Sequence, residues 1–101
     1  MIPLVGQHRE QIADLCRKYG VRKLELFGSA ARGDFDPARS DIDFFYDFDD
    51  NPDNLADRFF GLIDDLKSLL GRHVDLVSSR HASNPYFLKS ANQHRITLYA
   101  A

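Results

Sequence analysis

Gly28-Ser29-Ala30-Ala31-Arg32-Gly33 and, after a short spacer, Ser40-Asp41-Ile42-Asp43-Phe44-Phe45-Tyr46-Asp47-Phe48 form the stretch on which the fold turns. The second half alternates as a strand does, because successive side chains point to opposite sides. Ile42, Phe44, Tyr46 and Phe48 fall on one face, and Asp41, Asp43, Phe45 and Asp47 on the other. One face is core; the other carries a row of carboxylates. The first half is glycine, serine and alanine, a turn with room for one helical turn beginning near Ser29. Just upstream, Val21 to Phe27 also has period two, with Leu24 and Leu26 opposed to Lys23, Glu25 and Phe27, and this strand runs directly into Gly28.

Further out, Ile12, Leu15, Cys16 and Tyr19 share the spacing of one helical face and Gly20 supplies a stop, so a helix is predicted from about Gln7 to Tyr19. Downstream, Asp49 to Asn54 closes the carboxylate strand with turn residues and Pro52. Leu55, Phe59, Leu62, Leu66 and Leu69 then mark a long helix ended by Gly71. His73 to Val77 reads as a short strand that sets Asp75 opposite Val74 and Leu76. Asn84 and Pro85 suit the cap and first turn of a final helix, and Ile96 to Tyr99 suits either a last strand or a docking tail. The order of elements implies an α/β (α+β) fold, a small mixed sheet flanked by helices, in one domain over residues 1–101.

Composition narrows the function. A chain of 101 residues with 44% apolar content suits a single core. Its 15 acidic and 13 basic residues lack the broad positive field of a protein that grips nucleic acid by its phosphates, so no direct nucleic-acid partner is expected. A nucleotide would have to be held locally or through metal ions. The single cysteine, Cys16, sits in the helical apolar pattern and reads as a buried, inert thiol. No apolar run approaches the roughly 18–20 residues that span a bilayer, and Met1 to Val5 lacks the charged start and apolar stretch of a signal peptide. A soluble cytoplasmic protein without a membrane partner is the expectation.

A Gly-Ser pair at a strand end is by itself an ordinary turn, although glycine and unpaired amides let a phosphate approach closely. Asp41 and Asp43 add weight, because a strand puts residues two apart side by side on one face. Like charges this close repel unless a cation lies between them, and hard oxygen ligands of this kind suit Mg²⁺. Asp75 is a third carboxylate on a separate strand. If that strand neighbours the first, three carboxylates converge as a two-metal displacement requires, with Asp75 as ligand and proton acceptor.

Together Gly28-Ser29, Ala31-Arg32-Gly33, Ser40-Asp41-Ile42-Asp43 and Val74-Asp75-Leu76-Val77 resemble the signature of the polymerase-beta-like nucleotidyltransferase superfamily, and in particular its small bacterial members, the minimal nucleotidyltransferases. The resemblance runs in matching order from about Leu24 to Val77. It implies the polymerase-beta-like nucleotidyltransferase fold, with Asp41, Asp43 and Asp75 as catalytic metal ligands for two Mg²⁺ ions and Gly28 and Ser29 as contacts to the triphosphate of ATP. Arg32 and Ser40 either touch the phosphates or brace the loop. The chain ends soon after Asp75, without the helical domain of larger members, so part of the site is expected from another chain. The resemblance implies a HEPN-type toxin as that partner in a hetero-oligomer, with this chain as the antitoxin that transfers AMP to a tyrosine. Two rivals remain open at this point: a non-catalytic antitoxin or binding module of the same fold, and a small-molecule nucleotidyltransferase of the aminoglycoside type.

Other residues carry less. His8, His73, His81 and His94 have no metal-ligand spacing. Phe45 shares the carboxylate face and is expected as a wall of the site, while the acidic run Asp47 to Asp53 reads as a solvated turn open to a basic partner. Tyr86, Phe87, Leu88, Ile96, Leu98 and Tyr99 are expected either to form an interface or to close the core.

Overall fold

The computed structural model describes residues 1–80, 84–85, 88–89 and 94–101. In chain order these form α1 (Pro3–Gln7), α2 (Arg9–Tyr19), β1 (Val21–Phe27), α3 (Ser29–Arg32), β2 (Ile42–Phe48), α4 (Leu55–Leu70), β3 (Val74–Ser78) and β4 (Ile96–Ala100). The strands make one mixed sheet in the order β3-β2-β1-β4. β1 runs antiparallel to both β2 and β4, whereas β2 and β3 are parallel. A parallel pair needs a crossover of a dozen or more residues, which the 16 residues of α4 supply.

The apolar face of the sheet is the one the alternation marks. Leu24, Leu26, Ile42, Phe44 and Val74 meet Ile12 and Cys16 of α2 and Leu62, Leu66 and Leu70 of α4, all of them buried. Burial pushes the Cys16 thiol up to about 12, which makes it the inert group expected. Tyr19 fastens the two helices by donating its hydroxyl hydrogen to Asp65. Both helices stop at a left-handed glycine, Gly20 and Gly71. On the opposite face a second, smaller cluster forms around Phe27 and Phe45, with Val77 and Leu88 against them.

The expected first helix is α2, which starts at Arg9, and a further short helix, α1, precedes it across His8, whose ring bonds the Leu4 carbonyl at 2.8 Å. The Ile2 N–H reaches the Ala30 carbonyl at 2.9 Å, so this early segment is tied to α3, and five residues are too few for a helical period to show. Ile96–Ala100 is a strand and not a docking tail: it pairs with β1, Leu98 is buried, and Ile96 and Tyr99 pack on the core. Of the final helix, the Leu88 N–H bonds the Asn84 carbonyl at 3.0 Å as a first turn would, while Tyr86, Phe87 and His81 lie outside the described residues. Among the described residues no helix is long and apolar enough to cross a membrane.

Tyr99 therefore belongs to the domain's own core. Tyr99→Ser is expected to cost about 1–3 kcal/mol and to lower the melting temperature of the isolated chain by several degrees. Thermal unfolding by circular dichroism checks this, and an unchanged midpoint would return Tyr99 to the role of interface residue.

Candidate active site

β2 lies between β1 and β3, so residues near its start meet both neighbours. Asp43 stands opposite Phe27, the last residue of β1, and opposite Asp75 in the parallel register with β3. The two carboxylates share a face and come within hydrogen-bonding reach of each other. Asp41, exposed just before the strand, adds its charge. Burial, then the charges of Asp75 and Asp41, push the Asp43 carboxyl up to about 6, and the Arg32 guanidinium partly offsets them.

The turn is fitted to this carboxylate. Gly28 has φ 72° and ψ −154°, a conformation that L side chains rarely adopt. A Cβ there would stand 2.5 Å from Asp43 Oδ2. Its carbonyl accepts the N–H groups of Ala31 and Arg32 at 3.1 and 3.0 Å, which closes α3. Ala30 and Ala31 are buried, and their small size lets the turn lie down on the sheet. Ser29 opens the turn, half-buried, where the first amides of a helix have no carbonyl partner within it.

Of the two residues whose role the sequence left open, Ser40 braces the loop. Its hydroxyl accepts the Asp36 N–H at 3.0 Å and its own N–H donates to the Asp36 carbonyl at 2.8 Å. Arg32 pairs with Asp34 at 3.3 Å, yet its charge still reaches Asp43. Phe45 is not an exposed wall. It is buried, stacked on Phe27 at 4.1 Å between centroids, with the Arg95 guanidinium 4.3 Å above its ring.

Sequence reasoning missed the support beneath this face. Glu25 is buried and accepts a 2.6 Å hydrogen bond from Arg95, joining β1 to the residue just before β4. Glu25 shares a strand face with Phe27, which was visible, but no spacing linked it to Arg95. A cleft of about 370 Å³ also adjoins Asp41, lined in part by Arg39, Ser40, Lys67, Arg72 and His73. The cationic side chains of Arg39, Lys67 and Arg72 come from separate segments, so no local pattern announced them.

Among the described residues no three acidic, imidazole or thiol groups are already gathered to hold a metal ion. Mg²⁺ seldom uses such an all-protein cage; it takes one or two carboxylates and completes its shell with water and substrate phosphate oxygens. The close pair Asp43 and Asp75, with Asp41 beside it and a turn whose glycine leaves room against Asp43, fits a cation that arrives with a phosphate ligand.

A family model described as a nucleotidyltransferase domain matches residues 8–98. The chain belongs to that family. This nucleotidyltransferase is 36% identical over 93 residues to a Methanocaldococcus jannaschii chain provisionally named a protein adenylyltransferase, covering 92% of the one and 89% of the other. It is 41% identical over 74 residues to the protein adenylyltransferase MntA of Thermococcus cleftensis, covering 73% and 69%. Among solved structures, one described as a minimal nucleotidyltransferase has a TM-score of 0.74 at 29% identity, covering 94% of this chain and 95% of that one. A toxin–antitoxin structure with AMP-PNP has a TM-score of 0.67 at 28% identity, covering 92% and 73%. The fold is thus the polymerase-beta-like nucleotidyltransferase fold expected from the motif, and the chain is an enzyme of the transferase class.

The crowding of Asp43 predicts an unusual stability profile for the metal-free protein. A folded pKa of about 6, above the ordinary 3.8, means the folded state holds this proton more tightly than the unfolded chain. The resulting stabilisation is complete below the ordinary value and is lost as pH rises through 6. Asp43→Asn removes the charge and keeps the shape, so at pH 7.5 it is expected to be more stable than the parent by about 1–3 kcal/mol, with the gain vanishing below pH ~4. Urea unfolding across this pH range without divalent ions measures it. Gly28→Ala is expected to destabilise at every pH by at least about 1 kcal/mol, through backbone strain and the displaced Asp43 carboxylate.

Proposed function

We propose that this nucleotidyltransferase transfers AMP from ATP to a tyrosine hydroxyl of a HEPN-type toxin, and so acts in the cytoplasm as the antitoxin of a hetero-oligomeric pair. The observation that carries the reading is the carboxylate of Asp43, crowded by Asp75 and Asp41 and faced by the side-chain-free Gly28. Like charges set this close, in a protein whose family transfers nucleotides, suit a cation-bound triphosphate. The relatives named protein adenylyltransferases and the toxin–antitoxin neighbour with AMP-PNP support the choice of nucleotide and of a protein acceptor.

In this reading Asp41, Asp43 and Asp75 hold two Mg²⁺ ions, which when bound neutralise phosphate charge and lower the pKa of the acceptor hydroxyl. The backbone amides that open α3 and the Ser29 hydroxyl hold the triphosphate, with Gly28 allowing the close approach. Arg32 adds positive charge beside them. Ser40 keeps the Asp36–Ser40 loop, and with it Asp41, in position. Asp75 is exposed, so it can meet the incoming acceptor and take its proton. The acceptor oxygen bonds to the α-phosphorus, the bond from that phosphorus to the bridging oxygen breaks, and pyrophosphate leaves. Such transfer depends chiefly on positioning and charge neutralisation, which a domain this small can supply.

A non-catalytic binding module would have no need to hold Asp43 against Asp75 at a cost in stability. The test is incubation of the purified chain with its co-expressed partner protein, Mg²⁺ and ATP labelled in the α-phosphate. Label should pass to a tyrosine of the partner. Asp41→Asn, Asp43→Asn and Asp75→Asn are each expected to lower transfer by at least about a hundredfold, since each removes a charged ligand. Ser29→Ala should cost less, roughly fivefold to a hundredfold, the equivalent of ~1–3 kcal/mol for one hydrogen bond to a phosphate. Full activity in the aspartate variants would remove the catalytic assignment, and label on a small molecule alone would remove the protein acceptor.

A further inference from the structure

The large apolar side chains left most exposed among the described residues are Met1, Leu55 and Phe60, and two of these three stand on the first half of α4. Phe60 is 62% exposed and Leu55 46%. With Ala56, Phe59, Tyr46 and Phe48 they border a hollow of about 430 Å³, lined by these side chains and Arg80. The other rings are packed together: Tyr46 lies 5.1 Å from Phe48 and 5.6 Å from Phe59, and Phe59 meets Phe60 edge-on at 5.3 Å. Phe60 thus extends a packed aromatic group into water, beside a cavity that its neighbours do not fill. Tyr46 and Phe48 lie three and five residues beyond Asp43 along β2, which puts the hollow roughly 10–17 Å from that carboxylate at about 3.3 Å per residue. It is no part of the nucleotide site.

Charge says what would cover it. Residues 47–64 hold six aspartates and one arginine, in a chain whose net charge is only -2. Asp47, Asp49 and Asp50 are held by Arg80, Arg58 and Arg22. Asp53, Asp57 and Asp64 have no ion pair among the described residues. Asp57 and Asp64 are three before and four after Phe60, the spacings that place side chains on one helical face. The exposed ring is therefore bordered by unpaired carboxylates along α4 and by the apolar hollow on its other side. A second copy of this chain would set these aspartates against their own kind, and an anionic membrane surface would be repelled.

We propose that the Leu55–Phe60 face of α4 is a docking surface for a partner polypeptide that presents an apolar anchor flanked by lysine or arginine, at the end of the sheet away from the transfer site. The anchor enters the hollow against Phe59 and Phe60, and the flanking cations meet Asp57 and Asp64. This rests on the proposed function only for the identity of the partner; the surface and the chemistry it selects stand on the aromatic hollow and its acidic edge.

The test uses the full chain, labelled for NMR, and two synthetic amphipathic helices: one of Leu, Ala and Lys, the other with Glu in place of each Lys. Only the lysine helix should bind, shifting the resonances of Tyr46, Leu55, Phe59 and Phe60. Its affinity should fall roughly tenfold or more in Phe60→Ser and in the double variant Asp57→Lys, Asp64→Lys. Both variants should melt as the parent does and keep its Mg²⁺·ATP-induced rise in melting temperature. Four results would overturn the proposal: no binding, equal binding of the glutamate helix, shifts confined to other residues, or self-association of the chain through Phe60. A lower melting temperature in Phe60→Ser would do so as well, by returning the ring to the core. Absence of any Mg²⁺·ATP response in the parent, with lysine-helix binding intact, would count against the catalytic reading alone.

Discussion

The carboxylate of Asp43 is held against Asp75 by the parallel pairing of β2 with β3, and it faces Gly28 because β1 ends beside the start of β2. No solvated pair of aspartates would choose that arrangement, since each charge opposes the other and burial opposes the charge of Asp43. What holds it is the apolar face on the other side of the same strand. Ile42 and Phe44 flank Asp43 in sequence and are both wholly buried beneath α2 and α4. Each such side chain contributes about 1.5–3 kcal/mol, so the neighbours of Asp43 alone match the ~1–3 kcal/mol that its ionisation costs. The core fixes the register, and the register imposes the repulsion.

The strand order follows from the same need. β2 must sit between β1, which ends in the glycine turn, and β3, which carries the third carboxylate. A crossover helix as long as α4 is what allows β3 to lie parallel and in register. Behind the carboxylates, Phe27, Phe45, Glu25 and Arg95 give the site face a firm base. The Glu25–Arg95 pair adds little net stability as a buried ion pair, but leaving either charge alone would cost several kcal/mol, so it ties β1 firmly to the chain just before β4. Chemistry lies at one end of the sheet, and the unfilled aromatic hollow at the other.

Much of this was legible because it rests on local periodicity. Alternation in Val21–Phe27 and Ile42–Phe48 set the faces, helical spacing and terminal glycines bounded α2 and α4, and the side-by-side aspartates announced a cation-binding face. What was hidden depends on contacts between distant segments. The segment that opens α1 is anchored by the Ile2 amide on the Ala30 carbonyl, and burial of Phe45 needs Phe27 below it and Arg95 above. The cation-lined cleft beside Asp41 is assembled from the loop around Arg39, the end of α4 and the turn that leads into β3. Phe60 lies outside the helical spacing of Leu55, Phe59, Leu62, Leu66 and Leu69, on the acidic edge of α4, and stays in water.

The most direct measurement is an NMR titration of the Asp43 side-chain carboxyl, first without divalent ions and then with Mg²⁺ and a non-hydrolysable ATP analogue. Crowding by Asp75 and Asp41 predicts an apparent pKa near 6 in the free protein, falling to or below the ordinary carboxylate range once cation and nucleotide are bound. A value near 4 in the free protein, or one that cation and nucleotide leave unmoved, would contradict the view that this fold compresses its carboxylates to receive a metal-bound nucleotide.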